Sequence, residues 1–391
     1  MRIGIEAQRL FRTHKHGMDV VALELIRALQ QLDTVNDYFV FVRPDVDSAC
    51  LQLGANFTLV PITGLNYIHW EQVALPRCIR QYQLDVLHCT ASTAPWFTTV
   101  PLVLTLHDVL FLNRHTGINT ATLYQRLGNR YRSWLVPRLA ERCGRVLTVS
   151  AYAGREIRRE LRRPELPLEV LHNGVSKRFQ PSTDPDTRAR IRQRYALPAR
   201  YLFFLGSADP RKNLRGVLKA FAAYAQTDPD CQLIVSGEVP PMLAQLITPA
   251  ERAVLDRRCR FVGYIADADL PGVYSLAETF LFPSISEGFG LPVLEAMGCG
   301  TPVITSAATA MPEVAGNAAL LVDPLDQASI VAALQRLRLD ADLRQQLIGR
   351  GFDRARQFTW ERAARQLLAV YGAYDTQTRT PSDLDPIPAS F

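Results

Sequence analysis

Residues 279–306, TFLFPSISEGFGLPVLEAMGCGTPVITS, decide the fold. TFLFPS reads as a short apolar strand, ISEGFGLP as the loop at its carboxyl end, PVLEAMGCG as a helix and PVITS as the next strand. Gly288 and Gly290 let the main chain come close to a ligand and offer N–H groups to hydroxyl or phosphate oxygens. Pro292 suits the first turn of a helix, so Leu291 and Val293 lie at its start, and Phe289 sits between the two glycines. The stretch holds only two acidic residues, Glu287 and Glu295. The turn can bring both to one end of the same helix, where one accepts from a sugar hydroxyl and the other from a ribose diol. The plain alternative has Glu295 as a partner of the helix dipole and Glu287 as a loop charge.

The same strand–helix rhythm runs outward in both directions. RIGIEA, YFVFVRP, DVLHCT, LVLTLHDV and RVLTVS read as strands in the first half, with helices at VVALELIRALQQL and AYAGREIRREL. After the proline- and charge-rich connector VSKRFQPSTDPDTRAR, a second set begins at YLFFLGS and continues through CQLIVSG and RFVGYI. Strands alternating with helices imply parallel strands joined by crossovers, hence two doubly wound α/β domains. The expected domains are residues 1–180 and 181–358. A helix at about 359–375 belongs with the first domain, and a loose tail follows at 376–391. In such folds ligands bind at the carboxyl ends of the strands, here expected to face each other across a cleft.

Composition narrows the class. Seven cysteines are scattered without a C-x-x-C pair, which suits reduced thiols and argues against a disulfide framework or a zinc site. The opening MRIGIEAQRLF is too charged for a signal peptide, and no run approaches the roughly 20 apolar residues of a membrane span, so a cytoplasmic protein is expected. Residues 101–200 hold 19 Lys+Arg against 8 Asp+Glu, a local charge of +11 within a net +6. That window is either a solvated basic face or a surface for anionic lipid or a phosphorylated acceptor. No recognition motif accompanies it, so nucleic acid is not the expected partner.

A second constellation is 203-FFLGSADPRKNLRGVLKAF-221. A strand ends at Gly206, and Arg211 and Lys212 stand just before a helix beginning near Asn213. Two cations at a strand-to-helix junction, helped by the helix dipole, suit a diphosphate. No P-loop is present, and no G-x-G-x-x-G follows either domain's first strand.

Together, SEGFGLPVLEAMGCGTPVI, GSADPRKNLRGVLKAF, FVGYIADADLPGVYSLAETFLFPSISEGFGLPVLEAM, MPEVAGNAALLVDP and FTWERAARQLLAVY resemble the retaining glycosyltransferases of family 4, which have the GT-B fold. TLHDVLF, LTVSAYAGREI and LHNGV extend the resemblance through the first half. It implies a nucleotide-sugar donor held mostly by the second domain. Glu287 would contact hydroxyls of the transferred sugar, with the N–H groups of Gly288, Phe289, Gly290 and Leu291 nearby. Glu295 would bind the ribose, Arg211 and Lys212 the diphosphate, and Gly263, Tyr264 and Ile265 would line the base site. Gly17, in HKHGMD, would lie in a glycine loop near the diphosphate and acceptor. Many members have two glycines there, where this chain has His16 before Gly17.

His107, ending the strand of TLHDVLF, matches a family histidine near the reacting sugar, and Asp108 either orients it or caps the next turn. No side chain is a convincing nucleophile. The resemblance implies front-face retaining transfer without a catalytic metal, the donor phosphate taking the acceptor proton. Asp267-Ala-Asp269 imitates a metal motif, but an aspartate capping the following helix is the expected role. Residues 123–143, LYQRLGNRYRSWLVPRLAERC, combine Arg126, Arg130, Arg132, Arg138 and Arg142 with Tyr124, Tyr131 and Trp134, a composition that suits peripheral contact with an anionic membrane, interrupted at Pro137. The expected activity is mannosyl transfer from GDP-mannose to a glycan or lipid-linked acceptor in cell-surface polysaccharide or O-antigen assembly. UDP-glucose, UDP-N-acetylglucosamine and dTDP-rhamnose are alternative donors. A sugar-nucleotide epimerase or hydrolase and an inactive nucleotide-sugar-binding protein are the rival readings.

Overall fold

The structure is a computed structural model that describes residues 1–112, 123–206, 209–240 and 243–375; the expected tail at 376–391 lies outside them. The chain forms two compact units. The first comprises Met1–Val149, Gly154–Leu171 and the chain from Trp360 onward; the second comprises Ser150–Ala153 and His172–Thr359. The division at Leu171 precedes the boundary at residue 180 expected from the connector, because the chain enters the second unit as soon as the last strand of the first sheet ends.

The first unit is built on β1 (Arg2–Glu6), β2 (Asp37–Val42), β3 (Phe57–Pro61), β4 (Val86–Cys89), β5 (Leu102–Leu106), β6 (Arg145–Thr148) and β7 (Leu168–Val170). All pairings are parallel, in the order β3-β2-β1-β4-β5-β6-β7. The second contains β8 (Tyr201–Phe204), β9 (Gln232–Val235), β10 (Cys259–Phe261), β11 (Thr279–Phe282), β12 (Val303–Ser306) and β13 (Leu320–Val322). These strands are also parallel, in the order β10-β9-β8-β11-β12-β13. Central strands such as VLHC, LVLTL, YLFF and TFLF are buried throughout, as strands covered by helices on both faces must be.

β3, β7 and β13 were not expected from the sequence. All three are edge strands, two of them only three residues long, so half-exposed FTLVP, LEV and LLV carry little periodic signal. The strand order reverses direction between β1 and β4 in the first sheet and between β8 and β11 in the second. At such switch points two neighbouring loops diverge to opposite faces and leave room for a ligand.

The helix Trp360–Gly372 belongs to the first unit and packs along Gly17–Leu32, so the last helix among the described residues returns to the domain that opens the chain. Tyr371 fixes it there: its hydroxyl is 2.7 Å from Nδ1 of the buried His88, whose Nε2 is 2.8 Å from the Thr105 hydroxyl. Burial pushes His88 down to about 3, so it is a neutral structural pin.

The basic segment forms one helix, Leu123–Arg142, that continues through Pro137 rather than breaking there. Leu135, Val136, Leu139 and Ala140 enter the core of the first unit, which holds the helix on either side of the proline. The side chains of Tyr124 and Arg126 lie outside the described residues. Among the described residues no helix is long and apolar enough to cross a membrane.

Candidate functional site

In the second unit, the residues singled out from the sequence gather at the β8–β11 switch point. Register places Thr279 beside Leu202 and Leu281 beside Phe204, so β8 and β11 end side by side. After β8, Pro210–Lys212 form a short 3-10 turn, and Asn213, in the left-handed region at φ 62°, caps the helix Leu214–Tyr224 by accepting from Gly216 N–H. Asn213 also ties the two loops together: its amide donates to the carbonyls of Pro283 (3.0 Å) and Pro324 (2.6 Å). Ile285 N–H donates to the Arg211 carbonyl at 2.7 Å.

This clamp brings Lys212 against Glu287, Nζ to Oε1 2.7 Å, with the ammonium 5.0 Å above the Phe282 ring. The Glu287 side chain is 14% exposed, so solvent screens the pair less than it screens a surface ion pair. Arg211 is held differently. Asp209, which the sequence reading passed over, takes its Nε at 3.1 and 3.0 Å and lies below the usual carboxylate range, with hydrogen bonds from Arg211 overcoming the effect of burial. The two cations expected on a diphosphate thus stand at the switch point, each engaged with a carboxylate.

The loop after β11 presents main chain. The N–H groups of Gly288, Phe289 and Gly290 donate to no protein acceptor among the described residues. Gly290 sits at φ 101°, a conformation that glycine adopts without strain, and starts the helix Leu291–Gly298. Glu295 is one turn into that helix and accepts from the Tyr274 hydroxyl at 3.2 Å. The Phe289 side chain is turned away, buried with ring centroids 6.1 Å from His172 and 5.8 Å from Phe358, so this residue offers a ligand only its backbone.

Four residues support the loop without having been assigned a role from sequence. Ser150 donates to the Gly288 carbonyl at 2.6 Å, and Thr309 accepts from Glu287 N–H at 3.3 Å. Glu313 accepts from the N–H groups of Ala151 and Tyr152 at 2.8 and 3.0 Å and from His172 at 2.9 Å. These bonds outweigh burial and hold its carboxyl below the usual range. LTVSAYAG, LHNGV and MPEV contain Ser150, His172 and Glu313, so the motifs were visible while their meeting was not.

Three glycines form a shelf across the other strand ends. Gly206 follows β8 and donates to the Ser236 hydroxyl at 2.9 Å. Gly237 and Gly263 exchange main-chain hydrogen bonds of 2.7 and 3.2 Å, both with positive φ. Beyond the shelf, Tyr264 is 58% exposed with its hydroxyl on Asp267, whereas Ile265 is buried. Asp269 does not cap its helix as expected. It is 2% exposed and its oxygens accept from Arg190 (2.8 Å), Arg194 (2.9 Å) and the Tyr195 hydroxyl (2.9 Å), a structural anchor with its acceptors already engaged.

In the first unit, His107 follows β5 and is buried, Nε2 2.9 Å from the Thr90 carbonyl. A carbonyl only accepts, so Nε2 carries the proton and Nδ1 is an acceptor. Burial lowers its pKa and favours the neutral ring. Asp108 does not orient it; its carboxylate caps the turn by accepting from Leu110 N–H at 3.2 Å. Gly17 begins the first helix, where His16 N–H donates to Asp19 Oδ2 at 3.0 Å.

The second unit thus gathers cations, a carboxylate and open N–H groups at the switch point of its parallel sheet, where such folds leave room for a ligand. Residues 187–354 match the family described as Glycosyl transferases group 1, and residues 16–179 match Glycosyltransferase Family 4. Between them these two matches take in most of the chain, which thus holds one domain of each family. It is 37% identical over 231 residues to O-antigen chain mannosyltransferase B of Escherichia coli, covering 58% of this chain and 60% of that protein. It is 27% identical over 289 residues to the serotype-specific mannosyltransferase WbdA of Escherichia coli, 72% of this chain and 34% of that one. The chain thus spans about a third to three fifths of the length of these relatives. The sucrose-phosphate synthase structure from Thermosynechococcus elongatus shares the fold, with a TM-score of 0.73 at 21% identity over 96% of this chain and 100% of that one.

Proposed function

We propose that the chain transfers mannose from GDP-mannose to a glycan or lipid-linked acceptor in cell-surface polysaccharide assembly, with retention of configuration and without a metal. The observation that carries the reading is the Lys212–Glu287 pair beside three open N–H groups at the switch point of the second sheet. Incoming diphosphate competes with Glu287 for Lys212 and with Asp209 for Arg211. Glu287, released from its cation, is then an acceptor for sugar hydroxyls. Glu295 takes the ribose, and the shelf around Gly206, Tyr264 and Ile265 takes the base. The mannose identity follows the names of the two Escherichia coli relatives.

In the proposed step the bond from the anomeric carbon to the diphosphate oxygen breaks and the acceptor oxygen bonds to that carbon from the same face. The acceptor proton passes to the departing phosphate. Arg211 and Lys212 stabilise the charge that develops there, which is electrostatic catalysis combined with positioning. His107, neutral with Nδ1 free to accept, is assigned to a hydroxyl of the reacting sugar, and Gly17 to the loop near the diphosphate. The first unit is assigned to the acceptor. The test is incubation with GDP-mannose, UDP-glucose, UDP-N-acetylglucosamine and dTDP-rhamnose, with mass analysis of products on a mannose-bearing acceptor. Addition of one hexose from GDP-mannose alone is expected. Donor turnover without acceptor would instead select the epimerase or hydrolase reading.

We also propose peripheral contact with an anionic membrane at the cytoplasmic face. Trp134 is 51% exposed, Phe97 and Leu127 are exposed too, and Arg138 and Arg142 stack on Trp134 and Trp96 at 5.0 and 4.5 Å. Aromatic rings set among arginines suit the interface of anionic lipid. Cosedimentation with phosphatidylglycerol vesicles and not with phosphatidylcholine vesicles is expected, and equal recovery with both would refute it.

A further inference from the structure

We propose that a pocket in the first unit binds a phosphoryl group carried by the acceptor saccharide. The pocket measures about 300 Å³ and lies at the carboxyl ends of β1 and β2, with Gln8, Arg9, Arg12, Arg43, Asp45 and Tyr67 in its wall. None of these residues belongs to the donor site assigned above.

Its parts differ in how they are engaged. Arg9 is fixed by Asp19, Nε to Oδ1 3.2 Å. The guanidinium groups of Arg12 and Arg43 have no hydrogen-bond or ion-pair partner among the described residues, although both face the same small volume. Gln8 is 5% exposed, yet its side-chain nitrogen makes no hydrogen bond. A buried amide donor left without a partner is costly unless a ligand completes it. Tyr67 is held from behind. Its hydroxyl donates to Glu71 Oε2 at 2.9 Å, and Glu71 sits in one π-helical turn, Trp70–Ala74, which also gathers the hydroxyls of Thr93 and Tyr131.

The donor set selects the ligand. Guanidinium groups match phosphate oxygens with paired N–H bonds, and two of the three here are paired with no carboxylate among the described residues. The Asp45 carboxylate and the fixed Tyr67 ring would be idle or adverse for an inorganic anion, but they suit the hydroxyls and the apolar face of a sugar. The combination therefore fits a saccharide bearing a phosphoryl group, free or as a lipid-linked diphosphate. The word acceptor rests on the transfer reading above; the anion site rests on the pocket alone.

Calorimetric titration of the full chain with mannose, mannose 6-phosphate, inorganic phosphate and a short-alkyl diphosphate-linked mannose tests the proposal, with GDP titrated separately. At least one phosphorylated saccharide should bind tenfold or more tightly than both mannose and inorganic phosphate. The double variant Arg12→Ala, Arg43→Ala should lose at least tenfold of that affinity while binding GDP as before. Preference for mannose 6-phosphate identifies a soluble acceptor, and preference for the alkyl diphosphate a lipid-linked one. The proposal is overturned if mannose or phosphate alone binds as well, if the double variant binds unchanged, or if its GDP affinity falls in parallel, which would give the pocket to the donor. Failure of the wild type to bind GDP would overturn the donor site in the second unit and leave the pocket's result intact.

Discussion

Replacing Glu287 by alanine should lower the transfer rate by about a thousandfold while GDP still binds within a few-fold of the wild type. The magnitude is that of removing one well-placed polar group from a reacting centre, on the order of 10²–10³ in kcat, with lost sugar positioning added. Nucleotide affinity should survive because the substitution also frees Lys212, whose 2.7 Å bond to Glu287 competes with phosphate. The partner is a mostly shielded cation at a loop, so the fold should tolerate the change. Glu287→Gln separates charge from shape: it keeps a hydroxyl acceptor but loses the ion pair, and should retain more activity than alanine. Steady-state kinetics with matched GDP titrations check both. Transfer by Glu287→Ala at the wild-type rate would remove the residue from its assigned role.

The second large effect is expected at Gly206. A Cβ there would lie 2.2 Å from the Ser236 carbonyl oxygen and 2.8 Å from Val235 Cγ1. The nearer atom is backbone at the end of β9, held by Ser236 N–H donating to the Phe204 carbonyl, so it cannot swing aside as a side-chain tip would. The clash must move the loop between β8 and Asn213, and that loop carries Arg211 and Lys212. Gly206→Ala should therefore lower GDP affinity by at least tenfold and destabilise the second unit by about 2 kcal/mol, as forced backbone shifts do. Gly263→Ala is the contrast: no atom lies within 4 Å of its Cβ, so only the strain of its φ of 71° is felt. Calorimetric GDP titration and thermal unfolding of both variants measure the difference. Unaltered GDP binding by Gly206→Ala would show that the shelf does not shape the nucleotide site.

Much of this site was readable from the sequence because each half of it is local. A strand ending at Phe204 or Phe282, followed by a glycine-bearing loop and a helix start, fixes where Arg211, Lys212, Glu287 and Glu295 must emerge. What joins the halves is not local. The Lys212–Glu287 contact crosses 75 residues and the Ser150–Gly288 bond 138, distances at which one sequence carries no pairing signal. Asp269 shows the same limit from the other side. Its position before a helix suggested a cap, but Arg190, Arg194 and Tyr195 arrive from more than 70 residues upstream and take its oxygens. Pro137 was read as a break, yet tertiary packing of Leu135, Val136, Leu139 and Ala140 overrides the local cost of a proline within a helix. The arginine pocket went unseen because Gln8, Arg43 and Tyr67 follow three separate stretches of chain and form no motif.

We propose above all that the β8–β11 switch point holds a nucleotide sugar through Lys212. Calorimetric titration of GDP-mannose into the wild-type chain and into Lys212→Ala tests it most directly. Saturable one-to-one binding by the wild type, weakened by about a hundredfold in the variant, is the expected result, in keeping with about 3 kcal/mol for a charge-assisted phosphate contact. Equal affinity in the two proteins, or no binding of GDP-mannose or any other nucleotide sugar by the wild type, would contradict the account.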